Sequence, residues 1–211
     1  MYYIVPLGCD YDESRTKIGP STITRCQKAL HEARRLRLGG AQATLVLAPS
    51  IEAARKLHGP DSNRKMACMM QDWFREQGEV VELVNVDDTN VSFDTTGEVV
   101  WSVETIGQYH RRRNALNPNS LQHNSMNDAV VIFVSNRRHL RRVWWNLKLM
   151  CGLPRSVFAS PDAFAGDGLP VYTTPEVWFT ASEEAPPTLW HECLAYVKLF
   201  LVWRGWYTST K

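Results

Sequence analysis

Charge of one sign, paired cysteines and long apolar runs are all scarce in this sequence of 211 residues. Its 24 basic and 22 acidic residues leave a formal charge of +2, too nearly balanced to draw nucleic acid or an anionic membrane to the molecule as a whole. Any electrostatic function is therefore local. The five cysteines (Cys9, Cys26, Cys68, Cys151, Cys193) are odd in number and widely spaced, with no CxxC pair and no zinc-type Cys/His spacing. That pattern points to reduced thiols and a cytoplasmic protein. The opening "MYYIVPLGCDYDE" lacks the basic start of a secretory signal. Near the other end, "CLAYVKLFLVW" is broken by Lys198 and falls short of the ~18 to 20 apolar residues of a membrane span. Missing too are a G-x-S-x-G elbow, a G-x-x-x-x-G-K-S/T loop, and the second histidine that would turn His31-Glu32 or His191-Glu192 into an HExxH site. These absences disfavour serine-hydrolase, P-loop and zinc-protease chemistry. With no internal repeat and no linker, residues 1–211 read as one domain.

What is present is an alternation of short β-rich runs with longer helical patterns. This is the mark of βαβ units, and predicts an α/β fold: a three-layer α/β/α sandwich around a mainly parallel, Rossmann-like sheet. Strands are expected at Tyr2–Leu7, Thr44–Ala48, Val80–Val86 and Val130–Val134. Helices are expected at Ser21–Leu38, Ser62–Gln77, from Thr95 onward, and at Arg138–Met150. Thr95 and Glu98 form a T-x-x-E capping box, and Gly39-Gly40, Gly78 and Gly152 act as stops. The Asn- and Ser-rich segment 113–128 reads as a surface loop. Farther on, "SVFAS" suggests a fifth strand, "VYTT" and "VWFTAS" fit neither period cleanly, and a last helix starts at Pro186 and runs to about Trp206.

In such a sheet, ligands bind beyond the carboxyl ends of the strands, where loops and helix N-termini converge. The residues delivered there are Gly8, Cys9 and Asp10; Ala48, Pro49 and Ser50; Asp87 and Asp88, with Thr95 to Glu98 at the next helix start; and Ser135, Asn136, Arg137, Arg138 and His139. The last set follows the apolar run "AVVIFV" and opens a helix with arginines at i and i+4, pairing Arg138 with Arg142 and Arg137 with Arg141.

Four separated stretches, "IVPLGCDYD", "TRCQKALHEARRLRLGGAQATLVLAPS", "DTTGE" and "IFVSNRRHLRRVWW", resemble in order and spacing the YdcF-like and SanA-like family, a domain of unknown function. The resemblance covers roughly Tyr2 to Pro154. It implies a Rossmann-like fold with a polar pocket at the strand ends, an Arg at the position of Arg25, and an Arg three residues after the His, here Arg142. It also implies nucleotide-like or S-adenosyl ligands. The chain departs from the family where Ala48-Pro49-Ser50 replaces a Ser-Gly-Gly turn and where the first turn keeps only Gly8.

Together these readings lead to the expectation of a small enzyme or enzyme-like binder, a transferase or hydrolase, for a phosphorylated or nucleotide-type anion. Arg25, Arg138 and Arg142 would hold the anion, His139 would transfer a proton, and Asp10 or Asp88 would orient a hydroxyl or water. Gly8, Cys9, Ser50, Thr95, Glu98, Ser135 and Asn136 would line the pocket, with no metal. Each has a plainer alternative: a surface ion pair for Arg25, a turn cap for Asp10, loop caps for Asp87 and Asp88, a solvated helix position for His139. The competing reading is a non-catalytic interaction module, homo-oligomeric or not, using Trp178, Trp190, Trp203 and Trp206 as contacts. Neither nucleic acid nor a membrane is expected as partner.

Overall fold

A computed structural model describes residues 1–14, 16–48, 66–85, 95–115, 129–151, 176–183 and 188–204. Within them the chain forms β1 (Tyr2–Pro6), α1 (Pro20–Leu38), β2 (Ala43–Leu47), α2 (Met66–Glu76), β3 (Leu83–Val84), α3 (Thr95–Ala115), β4 (Val130–Ser135), α4 (Arg137–Met150), β5 (Glu176–Ala181) and α5 (Leu189–Trp203). All pairings are parallel, in the order β3-β2-β1-β4-β5.

Two apolar cores account for the layers. Ile4, Leu45, Leu47, Ile132 and Val134 point to one face and pack with Cys26, Ala29, Leu30 and Ala33 of α1 and Met66, Met70 and Phe74 of α2. Tyr3, Val5, Val46, Val131 and Phe133 point to the other and meet Val99 and Ile106 of α3 and Leu140, Val143 and Leu147 of α4. Successive strand residues alternate between these faces, as the period of two requires. The α/β sandwich expected from the alternation of elements is thus the architecture found.

The strand order reverses between β1 and β4. The chain moves outward from β1 through β2 to β3, then returns to lay β4 on the other side of β1. Connections leaving β1 and β4 therefore splay to opposite faces at their carboxyl ends, the position at which sheets of this kind take their ligands. The register of β1 with β2 ends at Ile4↔Leu45, whereas that with β4 continues to Pro6↔Val134. Pro6 has no N–H to give and follows the last β1–β2 partner, a tolerable place for proline in a central strand.

Helix boundaries follow local chemistry. Pro20 occupies the first turn of α1, where a missing N–H costs nothing, and Gly40 (φ +80) and Gly78 (φ +78) sit just past α1 and α2 in the left-handed conformation that glycine favours. Of the expected strand Val80–Val86, Val86 lies outside the described residues, Leu83–Val84 form β3 against Val46 and Leu47, and Val80 is 83% exposed and stands before the ladder. The stretch that fitted neither period, "VWFTAS", supplies β5, paired along its length with β4. "SVFAS", "VYTT" and Trp206 lie outside the described residues.

Candidate functional site

Beyond the ends of β1 and β4, polar side chains from four elements converge on His139. Ser135 ends β4, and Asn136 caps α4 in extended conformation, its Oδ1 accepting the His139 backbone N–H at 2.8 Å. This local cap turns the imidazole inward, and His139 is only 5% exposed. Its Nδ1 lies 2.7 Å from Ser135 Oγ and 3.3 Å from Arg25 Nη1, while Nε2 lies 2.6 Å from Thr95 Oγ1. Arg142, one turn along α4, donates from Nη2 to the same Thr95 oxygen at 3.1 Å and from Nη1 to Glu192 Oε1 of α5 at 3.2 Å.

The donor inventory assigns the histidine tautomer. An arginine N–H can only donate, so Nδ1 presents its lone pair to Arg25 and the ring proton sits on Nε2, directed at Thr95. Thr95 Oγ1 then accepts from both His139 and Arg142. An imidazole held in a fixed orientation beside a guanidinium is suited to proton transfer next to a bound anion.

Arg25 is 1% exposed and also donates to the carbonyls of Leu7 (3.2 Å) and Gly8 (2.9 Å) at the end of β1. It is neither a surface ion pair nor open to solvent, and it braces the β1 turn against His139. Arg138 is exposed, so of the i and i+4 pair only Arg142 belongs to the buried group. Glu98 is buried in the first turn of α3, and burial, with the Glu98 charge adding, pushes the Tyr11 phenol up to about 12. Tyr11, which sequence reasoning passed over, thus borders the site from the β1–α1 loop.

Asp10 has a well-defined task. Its Oδ2 accepts the Ser21 N–H (3.1 Å) and its Oδ1 the Thr22 N–H (2.8 Å), while the Thr22 hydroxyl accepts the N–H groups of Cys9 (3.1 Å) and Asp10 (3.0 Å). The N-cap of α1, Gly19, has no side chain to do this, so Asp10 caps the helix from nine residues upstream and occupies the place where an anion would otherwise sit. Burial alone would raise its pKa, but the hydrogen bonds from Thr22 and Ser21 outweigh that and hold the carboxyl below its usual value. A Cβ at Gly19 would fall 2.6 Å from Asp10 Cγ and from the Tyr11 carbonyl oxygen, so the close approach requires glycine.

Gly8 is half-buried and Cys9 exposed, just past the end of β1. Ser50, Asp87 and Asp88 lie outside the described residues. Among the described residues no group of three or more His, Cys, Asp or Glu is placed to hold a metal ion. Glu192 was passed over in sequence because it belonged to an incomplete HExxH. Its signal was a lone carboxylate in the apolar helix "LWHECLAYVKLFLVW", which is stable when buried only if paired. Compared with protein-family models, with curated proteins and with solved structures, the chain matches none.

Proposed function

We propose that this protein binds an anionic small molecule, phosphorylated or nucleotide-type with S-adenosyl compounds included, beyond the carboxyl ends of β1 and β4, as an enzyme or enzyme-like binder. One observation carries the reading. At the point where strand order reverses, a single threonine oxygen joins a buried histidine to a part-buried arginine. In the proposed role Arg142 attracts the anion, His139 moves a proton, and Arg25, Ser135 and Asn136 hold the imidazole. The resemblance to the YdcF-like and SanA-like family supports the same ligand class. Five free cysteines, and the lack among the described residues of a helix long and apolar enough to cross a membrane, support a cytoplasmic setting.

Isothermal titration with nucleoside phosphates, sugar phosphates and S-adenosylmethionine tests the proposal. A charge-assisted hydrogen bond contributes roughly 1.5–3 kcal/mol, so Arg142→Ala and His139→Ala should each weaken the binding compound tenfold or more. Unchanged affinity in both folded variants, or no binding across the panel, sinks the assignment.

A specific observation favours a second role as well. On α5, Trp190, Leu194, Val197, Phe200 and Trp203 are 74%, 53%, 56%, 44% and 42% exposed, and the first three are spaced four and three residues apart along one face. We propose that this face pairs with its counterpart on a second copy of the chain. With side chains of about 150–250 Å² each, two such stripes bury on the order of 1,000 Å², the lower bound for a specific interface. Trp178 takes no part, being half-buried against Tyr2 in the sheet. Light scattering should give a dimer that Leu194→Glu or Val197→Glu converts to monomer, and a parent chain that is monomeric at high concentration overturns the pairing.

A further inference from the structure

Arg142 bridges two parts of the chain that are far apart in sequence, and the carboxylate on its outer side comes from the last helix. Glu192 and Arg142 form an ion pair at 3.2 Å with side chains 5% and 11% exposed, so water screens neither charge effectively. From Glu192 Oε1 the contacts run without a break through Arg142 Nη1 and Nη2 to Thr95 Oγ1 and on to His139 Nε2, at 3.2, 3.1 and 2.6 Å. A long arginine side chain reaches many positions, and only a partner on each side holds the guanidinium at one of them. On one side that partner is Thr95, on the other Glu192.

We infer that Glu192 is a positioning residue of the site: it fixes the guanidinium of Arg142 against Thr95 and, through that charge pair, sets the pH at which His139 takes up a second proton. The inference rests on the reading of His139 as the proton-transferring group. It makes α5 part of the site rather than a cover for the sheet. Among the described residues, the charged and titratable groups around His139 include Arg25 from α1, Glu98 beside Thr95 on α3, Arg142 on its own helix, and Glu192 and Tyr196 from α5. Glu192 pairs directly with the arginine next to His139. Without it the Arg142 charge opposes an imidazolium, which must then form at lower pH.

The test follows the His139 ring by nuclear magnetic resonance during a pH titration of the full chain with no ligand added. In Glu192→Gln the His139 midpoint should fall by ~0.5 to 1 pH unit, the size expected for a lost charge at the end of this short chain of contacts. Glu192→Asp, which keeps the charge, should restore most of the shift. Glu32→Gln, in the exposed pair with Arg35, should leave the midpoint unmoved. If the Gln variant loses its fold by circular dichroism, Glu192→Met, an apolar side chain of similar length, decides, with the same fall expected. A folded Gln variant, or failing that the Met variant, with the parental midpoint overturns the inference. Because no ligand enters the experiment, failure of the titration panel above would remove the proposed ligand and leave this result standing, and the reverse also holds.

Discussion

The hydroxyl of Thr95 stands 2.6 Å from Nε2 of His139, although 44 residues separate the two in sequence. The contact ties the start of α3 to the start of α4 beyond the strand ends, and Arg142 shares the same oxygen. Thr95→Val keeps the shape and removes an oxygen that both groups bond. The variant should lose roughly 1–3 kcal/mol in urea denaturation, the cost of leaving buried polar groups without a partner, while Thr95→Ser should stay close to the parent. Equal stability of parent and Val variant would show that neither bond matters to the fold.

Asp10 should make stability depend on acid. Its folded pKa lies below the ordinary 3.8, so its contribution is complete above that value and is lost as pH falls through the lowered folded pKa. Asp10→Ala should therefore cost about 1 kcal/mol near neutrality, as for other helix caps, and the gap from the parent should close below about pH 4. Thermal melts of the two proteins from neutral pH into that acid range measure the convergence.

Gly19 is the second half of that cap. Gly19→Ala places a methyl group against Asp10 Cγ and the Tyr11 backbone, both at 2.6 Å, so the loop must shift. A loss of roughly 1–3 kcal/mol is expected, as in other overpacked positions. Gly107, with open space around it, is the control, and an Ala there should be neutral or better.

A structural histidine provides a contrast with His139. His110 is buried on α3 with Nδ1 2.8 Å from the hydroxyl of Tyr3, at the amino-terminal end of β1 away from the site. Tyr3→Phe should destabilise the protein by roughly 1–3 kcal/mol yet leave ligand affinity at the parental value. A loss of affinity in this variant would mean that the site responds to stability in general.

Thiol reactivity should follow burial. The Cys26 thiol is pushed far up by its buried position, and that of Cys151 to about 11 by burial with the Glu104 charge adding, whereas Cys9 and Cys193 are exposed. At pH 8, iodoacetamide followed by mass spectrometry should label Cys9 and Cys193 first and reach Cys26 only on unfolding. Early labelling of Cys26 would contradict the packing of α1 on the sheet.

The sequence by itself determined the elements and their inward faces, because periods of two and 3.6 and the signals at helix ends act between near neighbours. Pro20, Gly40, Gly78 and the Asn136 cap are each effective within a turn of chain, and so is the Ser-Asn pair that aims His139. It also drew together Arg25, Thr95, Glu98, His139 and Arg142 as strand-end or early-helix residues, in part through a family resemblance.

Only the tertiary structure decided what those residues do for one another. Strand order, set by how two apolar faces are covered, brings Arg25 to His139 across 114 residues and Glu192 to Arg142 across 50. No local period encodes such distances. Packing also turned Asp10 into a helix cap, left Arg138 outside the buried group, left Val80 exposed ahead of β3, and made "VWFTAS" a strand by giving it β4 to pair with.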